Sequence, residues 1–280
     1  MIFYFSATGN CKRCAERIAE ATCDRTAPIA EELRQHRRPY TLADGEPLGI
    51  VTPVYSWGLP SIVEEFLSEL DVHWDPASPD GHSPHGKTPQ HDDAPYVYLV
   101  ATYGTTPGRT GTMATQILRS RGIAVSATFG VKMPDTWTPV FNLSDRQAVA
   151  RKVEAGEQAI NETACRIRER MCGAAGADGP IPLFAAGAVH RLYDPMRSCS
   201  KLHVDADVCI GCGLCARQCP VSSIDIQCSA PGGKPQPHWH AEQCAMCLGC
   251  LHRCPAHAIS YGSGRATNRH GQYTNPHTKL

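Results

Sequence analysis

Two cysteine runs near the C-terminus place the strongest constraint on how this chain of 280 residues folds. Each run has the spacing C-x2-C-x2-C-x3-C followed by proline, at residues 209–220 and 244–255. In cubane 4Fe–4S sites, closely spaced thiolates bind three irons of one cube, and the fourth cysteine ligates the other cluster. The proline after the fourth cysteine turns the chain away and favours this crossing. The sequence predicts two clusters, one held by Cys209, Cys212, Cys215 and Cys254 and the other by Cys219, Cys244, Cys247 and Cys250.

The alternatives for these cysteines are a zinc site or disulfides. Structural zinc usually takes four ligands in two pairs, whereas each run here has four closely spaced thiols ending in Cys-Pro. The repeat extends beyond the ligands, since Ile224 and Ile259 each lie four residues after their proline. Cys199 and Cys228 lie outside both motifs, and we expect them to be ordinary thiols.

This stretch resembles the bacterial-type two-cluster ferredoxins. The resemblance implies two βαβ-like halves related by a pseudo-twofold axis, with the clusters close enough to exchange electrons.

The N-terminus combines an apolar strand, a small polar turn and a helical pattern. Residues 1–5 are apolar, residues 6–10 read Ser-Ala-Thr-Gly-Asn, and a helix is predicted over residues 12–21. Free N–H groups at a helix start attract an anion, and the Ser6 and Thr8 hydroxyls add hydrogen bonds. No G-x-x-x-x-G-K-S/T motif is present, so this loop is not a nucleotide P-loop. The pattern predicts a phosphate site.

The same loop resembles the phosphate loop of flavodoxins, S/T-x-T-G-x-S/T. It matches at Ser6, Thr8 and Gly9 and departs at Cys11, where a hydroxyl is expected. The resemblance implies that the phosphate of FMN binds here, with Asn10 and Cys11 completing the loop. Cys11 and Cys14 also form a C-x-x-C pair, as in thioredoxin-like redox sites. That alternative, and an incidental strand–helix junction, remain open.

Two further loops follow predicted strands in the order that flavodoxins show. The strand at residues 48–55 leads into P-x-Y-x-x-G-x-P, which resembles the loop that holds the flavin ring. The strand at residues 96–101 leads into a glycine-rich loop that resembles the third flavin loop, where backbone groups approach the ring edge. Aromatic side chains in these loops are suited to stacking on isoalloxazine. The cofactor-binding residues predicted from these loops are Pro53, Tyr55, Trp57, Gly58, Thr102, Tyr103, Gly104 and Gly108.

The predicted fold class is α/β: a flavodoxin-like, doubly wound, parallel five-stranded sheet, followed by a small α+β two-cluster ferredoxin domain. The strand order 2-1-3-4-5 is implied by the resemblance. We assign residues 1–172 to the FMN-binding domain, 173–200 to a linker, 201–262 to the ferredoxin domain and 263–280 to a loose tail. Residues 71–95 are polar, with several prolines and histidines, and are expected to form a surface insertion.

Composition and charge limit the kinds of partner and the location that the sequence predicts. Lys and Arg total 27 and Asp and Glu total 27, so a net charge of zero gives no reason to expect a nucleic acid or anionic membrane partner. No run of 18 apolar residues is present, so no membrane span is expected. The first residues lack a basic region and read as a strand instead of a signal peptide. Thiols must be reduced to bind iron, which predicts a cytoplasmic location, and an anaerobic host is a reasonable expectation.

Taken together, the chain resembles ferredoxins with an N-terminal flavodoxin-like domain. The resemblance implies an electron-transfer protein that connects two 4Fe–4S clusters, FMN and a redox partner, either a protein or a small-molecule acceptor. One alternative is an FMN-dependent oxidoreductase that reduces a quinone, a flavin or a similar substrate. The other is a cluster-based redox sensor without flavin. No dinucleotide G-x-G-x-x-G motif, Ser–His–Asp arrangement or pair of carboxylates favours the enzyme.

Overall fold

The computed structural model describes residues 1–36, 39–75, 95–176, 183–228, 233–240, 244–263 and 269–280. Its strands are β1 Ile2–Tyr4, β2 Thr26–Pro28, β3 Tyr40–Ala43, β4 Leu48–Pro53, β5 Val72–Asp75, β6 Val97–Tyr103, β7 Ala127–Lys132, β8 Gly173–Ala175, β9 Leu202–Val204, β10 Ile224–Cys228, β11 Pro235–Trp239 and β12 Ile259–Tyr261. Its α-helices are α1 Asn10–Thr22, α2 Ile29–Gln35, α3 Ser61–Ser68, α4 Thr110–Ser120, α5 Arg146–Arg168, α6 Leu183–His190, α7 Tyr193–Met196, α8 Leu214–Arg217 and α9 Gly249–His252.

The large sheet has six parallel strands in the order β2-β1-β4-β6-β7-β8. Its first five strands confirm the predicted order, and β8 adds a sixth strand at one edge. Because successive side chains point to opposite faces of a strand, each central strand contributes side chains to two apolar layers, one on each face of the sheet. Phe3, Ile50 and Leu99 pack with the layer that contains Phe66 of α3. Their neighbours Ile2, Val51 and Val100 pack with α1 and α5 on the other side.

This arrangement brings the ends of β1, β4 and β6 to one edge of the sheet, because all strands run parallel. Ligands of open α/β sheets bind at this carboxyl edge. The three predicted flavin loops lie there, with Thr102 and Tyr103 forming the last two residues of β6 itself.

The C-terminal part contains two antiparallel ribbons and two single-turn helices. β9 pairs with β12, and β10 pairs with β11. The repeated isoleucines Ile224 and Ile259 begin β10 and β12, and both are buried. A helix follows the start of each cysteine run: α8 in the first and α9 in the second. The two halves thus repeat in structure as they do in sequence.

Several expectations need correction. β5 at residues 72–75 occupies the start of the predicted insertion and pairs with β3, while residues 76–94 of that insertion lie outside the described residues. β8 occupies the start of the predicted linker and joins the large sheet. α2 was not predicted. In the region from 263 to 280, which was predicted to be a loose tail, Tyr273 and Asn275 are only 3% and 2% exposed. No helix among the described residues is long and apolar enough to cross a membrane.

Candidate redox sites

The eight motif cysteines line two cavities, four to each. Cys219, Cys244, Cys247 and Cys250 line one cavity, and we call them the inner thiol set. The other cavity is lined by the outer thiol set, which consists of Cys209, Cys212, Cys215 and Cys254. In both sets the fourth cysteine of one run joins three cysteines of the other run, which is the crossing that the sequence motif implies.

No disulfide links any of the cysteines, all of which lie in described segments. Within the described residues, no group of three or more His, Cys, Asp or Glu side chains is arranged to hold a metal ion. The thiols instead surround cavities. Burial raises the pKa of the Cys247 thiol to about 12. Because iron binds the thiolate, loading this set must release protons.

Backbone N–H groups approach the thiol sulfurs in both sets. Ser223 N donates to Cys219 Sγ at 3.3 Å, and Met246 N donates to Cys244 Sγ at 3.3 Å. In the outer set, Ala258 N donates to Cys254 Sγ at 3.3 Å. Hydrogen bonds to the sulfurs stabilise negative charge on a bound cluster and raise its reduction potential.

The first flavin loop is organised by Gly9, which caps α1 in a left-handed conformation with φ 97°. The first N–H groups of α1 receive no side-chain cap from Gly9, and the first turn of the helix carries no acidic residue. Gly9 N donates to Ser6 Oγ at 3.1 Å. A free, positively polarised helix start is the arrangement that binds a phosphate.

The carbonyl groups of this loop are bonded from outside by distant residues. Arg253 donates from Nη2 to Ser6 O at 3.0 Å and from Nε to Ala7 O at 2.7 Å. Asn275 N donates to Thr8 O at 2.7 Å. In a trans peptide the carbonyl and the next N–H point in opposite directions. The N–H groups of residues 7–9 therefore point away from these donors.

The second loop is a tight turn held in an uncommon conformation. Tyr55 and Gly58 exchange backbone hydrogen bonds at 3.0 and 2.9 Å, and the two residues between them, Ser56 and Trp57, have φ of 46° and 62°. Two successive positive φ values define a type I′ turn, which usually contains glycine or asparagine. A side chain in this region costs about 1–2 kcal/mol per residue, and such strain clusters at ligand sites. The turn places Trp57 a few residues beyond the carboxyl end of β4.

The third loop contacts the other two. Arg109 N donates to Trp57 O at 2.8 Å, and Gly108 packs against the same carbonyl group. Cys11 Sγ and Thr102 Oγ1 lie 3.0 Å apart, which joins the third loop to the first. Gly104 packs against Asp135, whose pKa is raised by burial. The structure thus brings the predicted residues of all three loops together.

The Cys11–Cys14 pair faces the interior. Cys11 is 1% exposed and Cys14 is fully buried in the apolar layer beneath α1. Burial raises the pKa of Cys11 to about 12. Redox-active dithiols are accessible and have lowered pKa values, so the thioredoxin-like alternative receives no support.

The inner thiol set adjoins the flavin loops. A Cβ added at Gly249 would lie 3.5 Å from Cys247 Sγ and 3.7 Å from Ala7 O, so this glycine lies beside both the thiol and the first loop. Tyr55 of the second loop packs against both the flavodoxin-like core and the core of the C-terminal part. The Tyr193 ring lies 6.3 Å from the Tyr55 ring, and its hydroxyl donates to Ala245 O at 2.9 Å. In the outer thiol set, by contrast, Cys212 is exposed.

Sequence reasoning missed several residues of this contact. Arg253 and His252 lie inside the second cysteine run, where the ligand pattern drew attention away from them. His252 Nδ1 accepts from Tyr273 N at 3.2 Å, so Nε2 carries the proton and donates to Thr136 O at 2.8 Å. Burial lowers the pKa of His252 to about 4, in keeping with this neutral ring. The sequence offered one signal for this contact: Arg253 is a charged residue between two predicted cluster ligands.

Comparison with known proteins found family matches for two segments of the chain. Residues 1–74 match the flavodoxin domain family, and residues 208–258 match the 4Fe-4S dicluster domain family. A ferredoxin of Pyrobaculum islandicum (strain DSM 4184 / JCM 9189 / GEO3) is 35% identical over 63 residues, which are 22% of this chain and 54% of the ferredoxin. The chain therefore spans about half the length of the curated relative it matches.

Two solved structures show only weak likeness. An azoreductase from Bacillus anthracis str. Sterne has a TM-score of 0.36 at 10% identity, covering 60% of this chain and 98% of the azoreductase. A flavone reductase has a TM-score of 0.30 at 13% identity, covering 89% of this chain and 85% of the reductase. Likeness at this level supports no statement about fold or function. The two domain matches carry the assignment: the chain has an N-terminal flavodoxin domain and a C-terminal 4Fe–4S dicluster domain.

Proposed function

We propose that this chain transfers electrons between two 4Fe–4S clusters and one FMN and passes them on to a redox partner, a protein or a small-molecule acceptor. The observation that carries the proposal is that the second cysteine run packs against the first flavin loop. Gly249 lies beside both Cys247 and Ala7, and Arg253 bonds two carbonyl groups of the first loop. Electron transfer requires such proximity between centres.

The residues present fit FMN. The first loop offers an uncapped helix start and N–H groups that face away from its bonded carbonyl groups. These groups would hold the phosphate. The strained turn at Ser56 and Trp57 would hold a ring for stacking, and the close packing of Gly108 on that turn keeps the second and third loops together.

The donor sets fit cubane clusters. Four thiols line each cavity, in the crossed pattern typical of two-cluster ferredoxins, and backbone N–H groups approach the sulfurs. When bound, FMN accepts one or two electrons and each cubane passes one, so the combination connects one-electron and two-electron chemistry. The protein's part is to fix the distance between the sites, through Arg253 and Gly249, and to exclude water from the inner cavity.

The inner set is better protected from water than the outer set because of the residues that cover it. Met246 and Leu248 are buried over the inner cavity, whereas Ile210 and Val208 beside the outer set are exposed. Burial and hydrogen bonding both tune cluster potentials. Two clusters held in such unlike surroundings would differ in reduction potential.

Anaerobic purification with iron, sulfide and flavin quantified per chain tests the proposal. We expect about eight iron atoms and one FMN per chain. Four iron atoms would remove one cluster, and zinc in place of iron would remove both. Iron without any bound or reconstituted flavin would support the sensor alternative. We also propose a cytoplasmic location, because the reduced thiols that bind iron persist in reducing compartments.

Transient kinetics separates electron transfer from the enzyme alternative. After rapid reduction with dithionite, the flavin and cluster absorbances are followed while cytochrome c, a ferredoxin, a quinone or free FMN is added as acceptor. Electron transfer predicts fast reoxidation by protein acceptors at low concentration. Saturable turnover with one small molecule, and none with proteins, would favour the enzyme.

A further inference from the structure

Arg253 holds a positive charge between the second cysteine run and the first flavin loop. Its Nε donates to Ala7 O at 2.7 Å, and its Nη2 donates to Ser6 O at 3.0 Å. A third bond runs from its Nη1 to Gln218 Oε1 at 3.2 Å. Because each of the three guanidinium nitrogens donates a bond, the planar group is held in one orientation.

This partly buried charge has no anionic partner among the described residues. Its three acceptors are two backbone carbonyl groups and an amide oxygen, all of them neutral. No carboxylate in the described part of the chain forms an ion pair with Arg253. Burial lowers its pKa, which reflects the cost of taking a cation out of water without a counter-ion. Such a cation suits a place where a bound group brings negative charge.

The inner thiol set would bring that charge when it holds a cluster. Gly249 lies beside both Cys247 Sγ and Ala7 O, and Ala7 O is the atom that Arg253 Nε bonds. The Cys247 and Cys250 thiols oppose the lowering of the pKa of Arg253, and Arg253 opposes the rise that burial causes in the pKa of Cys247. Both cysteines line the inner cavity. The charge of the guanidinium group therefore acts on this cavity.

The first half of the internal repeat has no charge at the equivalent position. Gln218 stands directly before the last cysteine of the first run, as Arg253 does in the second. The arginine of the first run is Arg217, which is exposed and donates to Cys212 O at 2.8 Å. Exposed charges are screened by water and salt. A partly buried cation at this position is thus a property of the second run.

Four thiolates give a bound 4Fe–4S cluster a net negative charge, and reduction increases that charge. A cation held beside the cluster stabilises the reduced form more than the oxidised form. We propose that Arg253 is the counter-ion of the inner cluster and raises its reduction potential. The inference deepens the proposed function and rests on it, because it presupposes a cluster in the inner thiol set.

Redox titration of the anaerobic holoprotein, followed by electron paramagnetic resonance, tests this role. The forms compared are the unaltered chain, Arg253→Gln, Arg253→Lys and the control Arg217→Gln. Glutamine removes the charge and is the residue at the equivalent position 218, whereas lysine keeps the charge and loses the planar fork of donors. The inner cluster is recognised as the one whose signal an external chromium(III) complex broadens less, because Cys212 of the outer set is exposed. Iron per chain reports cluster loading.

We expect Arg253→Gln to raise the ratio of oxidised to reduced inner cluster about tenfold at a given solution potential, which is a shift of about 59 mV to more negative potential. Arg253→Lys should stay within about threefold of the unaltered chain, because it keeps the charge. Arg217→Gln should stay within about twofold, because its charge is screened. No shift in Arg253→Gln, or equal shifts in Arg253→Gln and Arg253→Lys, would overturn the inference, since equal shifts would come from the lost bonds and not from the lost charge.

Iron loading decides the remaining outcomes. If Arg253→Gln loses iron, Arg253→Met, which has a long side chain without charge, takes its place in the titration. Iron loss in both neutral variants with normal loading in Arg253→Lys supports the counter-ion role, whereas iron loss in all three overturns it. Zinc, or no iron, in the unaltered chain would refute the proposed function itself. Normal iron with unchanged potentials in every form would refute only the role of Arg253.

Discussion

Gly108 offers a sharp test of how the flavin loops are assembled, and Gly122 provides its control. Both residues have positive φ, 57° at Gly108 and 78° at Gly122. A Cβ at Gly108 would lie under 3.0 Å from the carbonyl group of Trp57, a separation that real Cβ atoms essentially never show. A Cβ at Gly122 would meet nothing within 4 Å. Replacing each by alanine therefore adds the same backbone strain, and only Gly108→Ala adds a clash.

The magnitude follows from these two terms. Left-handed backbone strain costs about 1–2 kcal/mol and is common to both variants. The clash at Gly108 meets backbone atoms, which cannot rotate away, and overpacking of this kind costs about 1–3 kcal/mol. Moving the turn also breaks the bond from Arg109 N to Trp57 O, worth about 1 kcal/mol. Gly108→Ala should therefore lose about 2–4 kcal/mol more unfolding free energy than Gly122→Ala.

Urea unfolding of the full chain, followed by far-ultraviolet circular dichroism, measures the difference, and FMN titration of the same variants reports on the site. We expect FMN affinity to fall in Gly108→Ala and to remain unchanged in Gly122→Ala, which lies at the far end of α4. Unfolding free energies within about 1 kcal/mol of each other, with equal FMN affinities, would refute the idea that this contact holds the second and third loops together.

Three further predictions concern single side chains. Arg253→Ala should lower the unfolding free energy by about 3 kcal/mol in urea titrations, because buried carbonyl groups lose a charged donor. The control Arg217→Ala removes an exposed bond to Cys212 O and should change it by about 0.5 kcal/mol. Equal losses would contradict the role of Arg253 in joining the second cysteine run to the first loop. Tyr98→Phe should leave the unfolding free energy from thermal denaturation unchanged or raise it by up to about 1 kcal/mol, since the buried hydroxyl has no partner within the described residues. A large loss would show that this hydroxyl makes a stabilising hydrogen bond. Burial holds the pKa of Cys11 near 12, while the thiol of the unfolded chain ionises from about pH 9, so stability falls as pH rises through this window. In Cys11→Ser the unfolding free energy should fall less steeply, by up to about 1.4 kcal/mol per pH unit, than in the exposed control Cys23→Ser. Identical pH profiles of the two variants would show that the pKa of Cys11 is not raised.

The sequence predicted the thiol sets and the flavin loops, because both depend on residues that lie close together in the chain. The cysteine spacing defined both thiol sets because each loop supplies its own three ligands within a few residues. The flavin loops were found because each follows a buried strand, and parallel strands bring their ends together. By contrast, β8 consists of Gly173, Ala174 and Ala175, which have no strand propensity. It nevertheless pairs with β7 at the edge of the sheet.

The contact of residues 273–275 with the first loop was missed for the same physical reason. Residues 273–280 read Tyr-Thr-Asn-Pro-His-Thr-Lys-Leu, a polar stretch with no periodicity. Part of their order comes from partners more than 260 positions away, such as the bond from Tyr273 to Asn10. No window of sequence contains both groups. Such contacts become visible only when the fold brings the two ends of the chain together.

The two cysteine runs differ at the positions where the structure gives them different neighbours. Gly211 and Gly213 of the first run have φ of 71° and 69°, and the equivalent residues of the second run, Met246 and Leu248, both have φ of 52°. The backbone requirement is shared, but the second run places side chains there despite a cost of about 1–2 kcal/mol each.

Those two side chains are buried over the inner thiol set, where glycine would leave the cavity open. The same asymmetry puts Arg253 of the second run where the first has Gln218, and Arg253 bonds both Gln218 and the flavin loop. One half of the internal repeat thus carries glycines, which adopt positive φ without strain. The other half carries larger residues at the same positions that exclude water and bond the neighbouring domain, as expected of the half that lies against the predicted flavin loops.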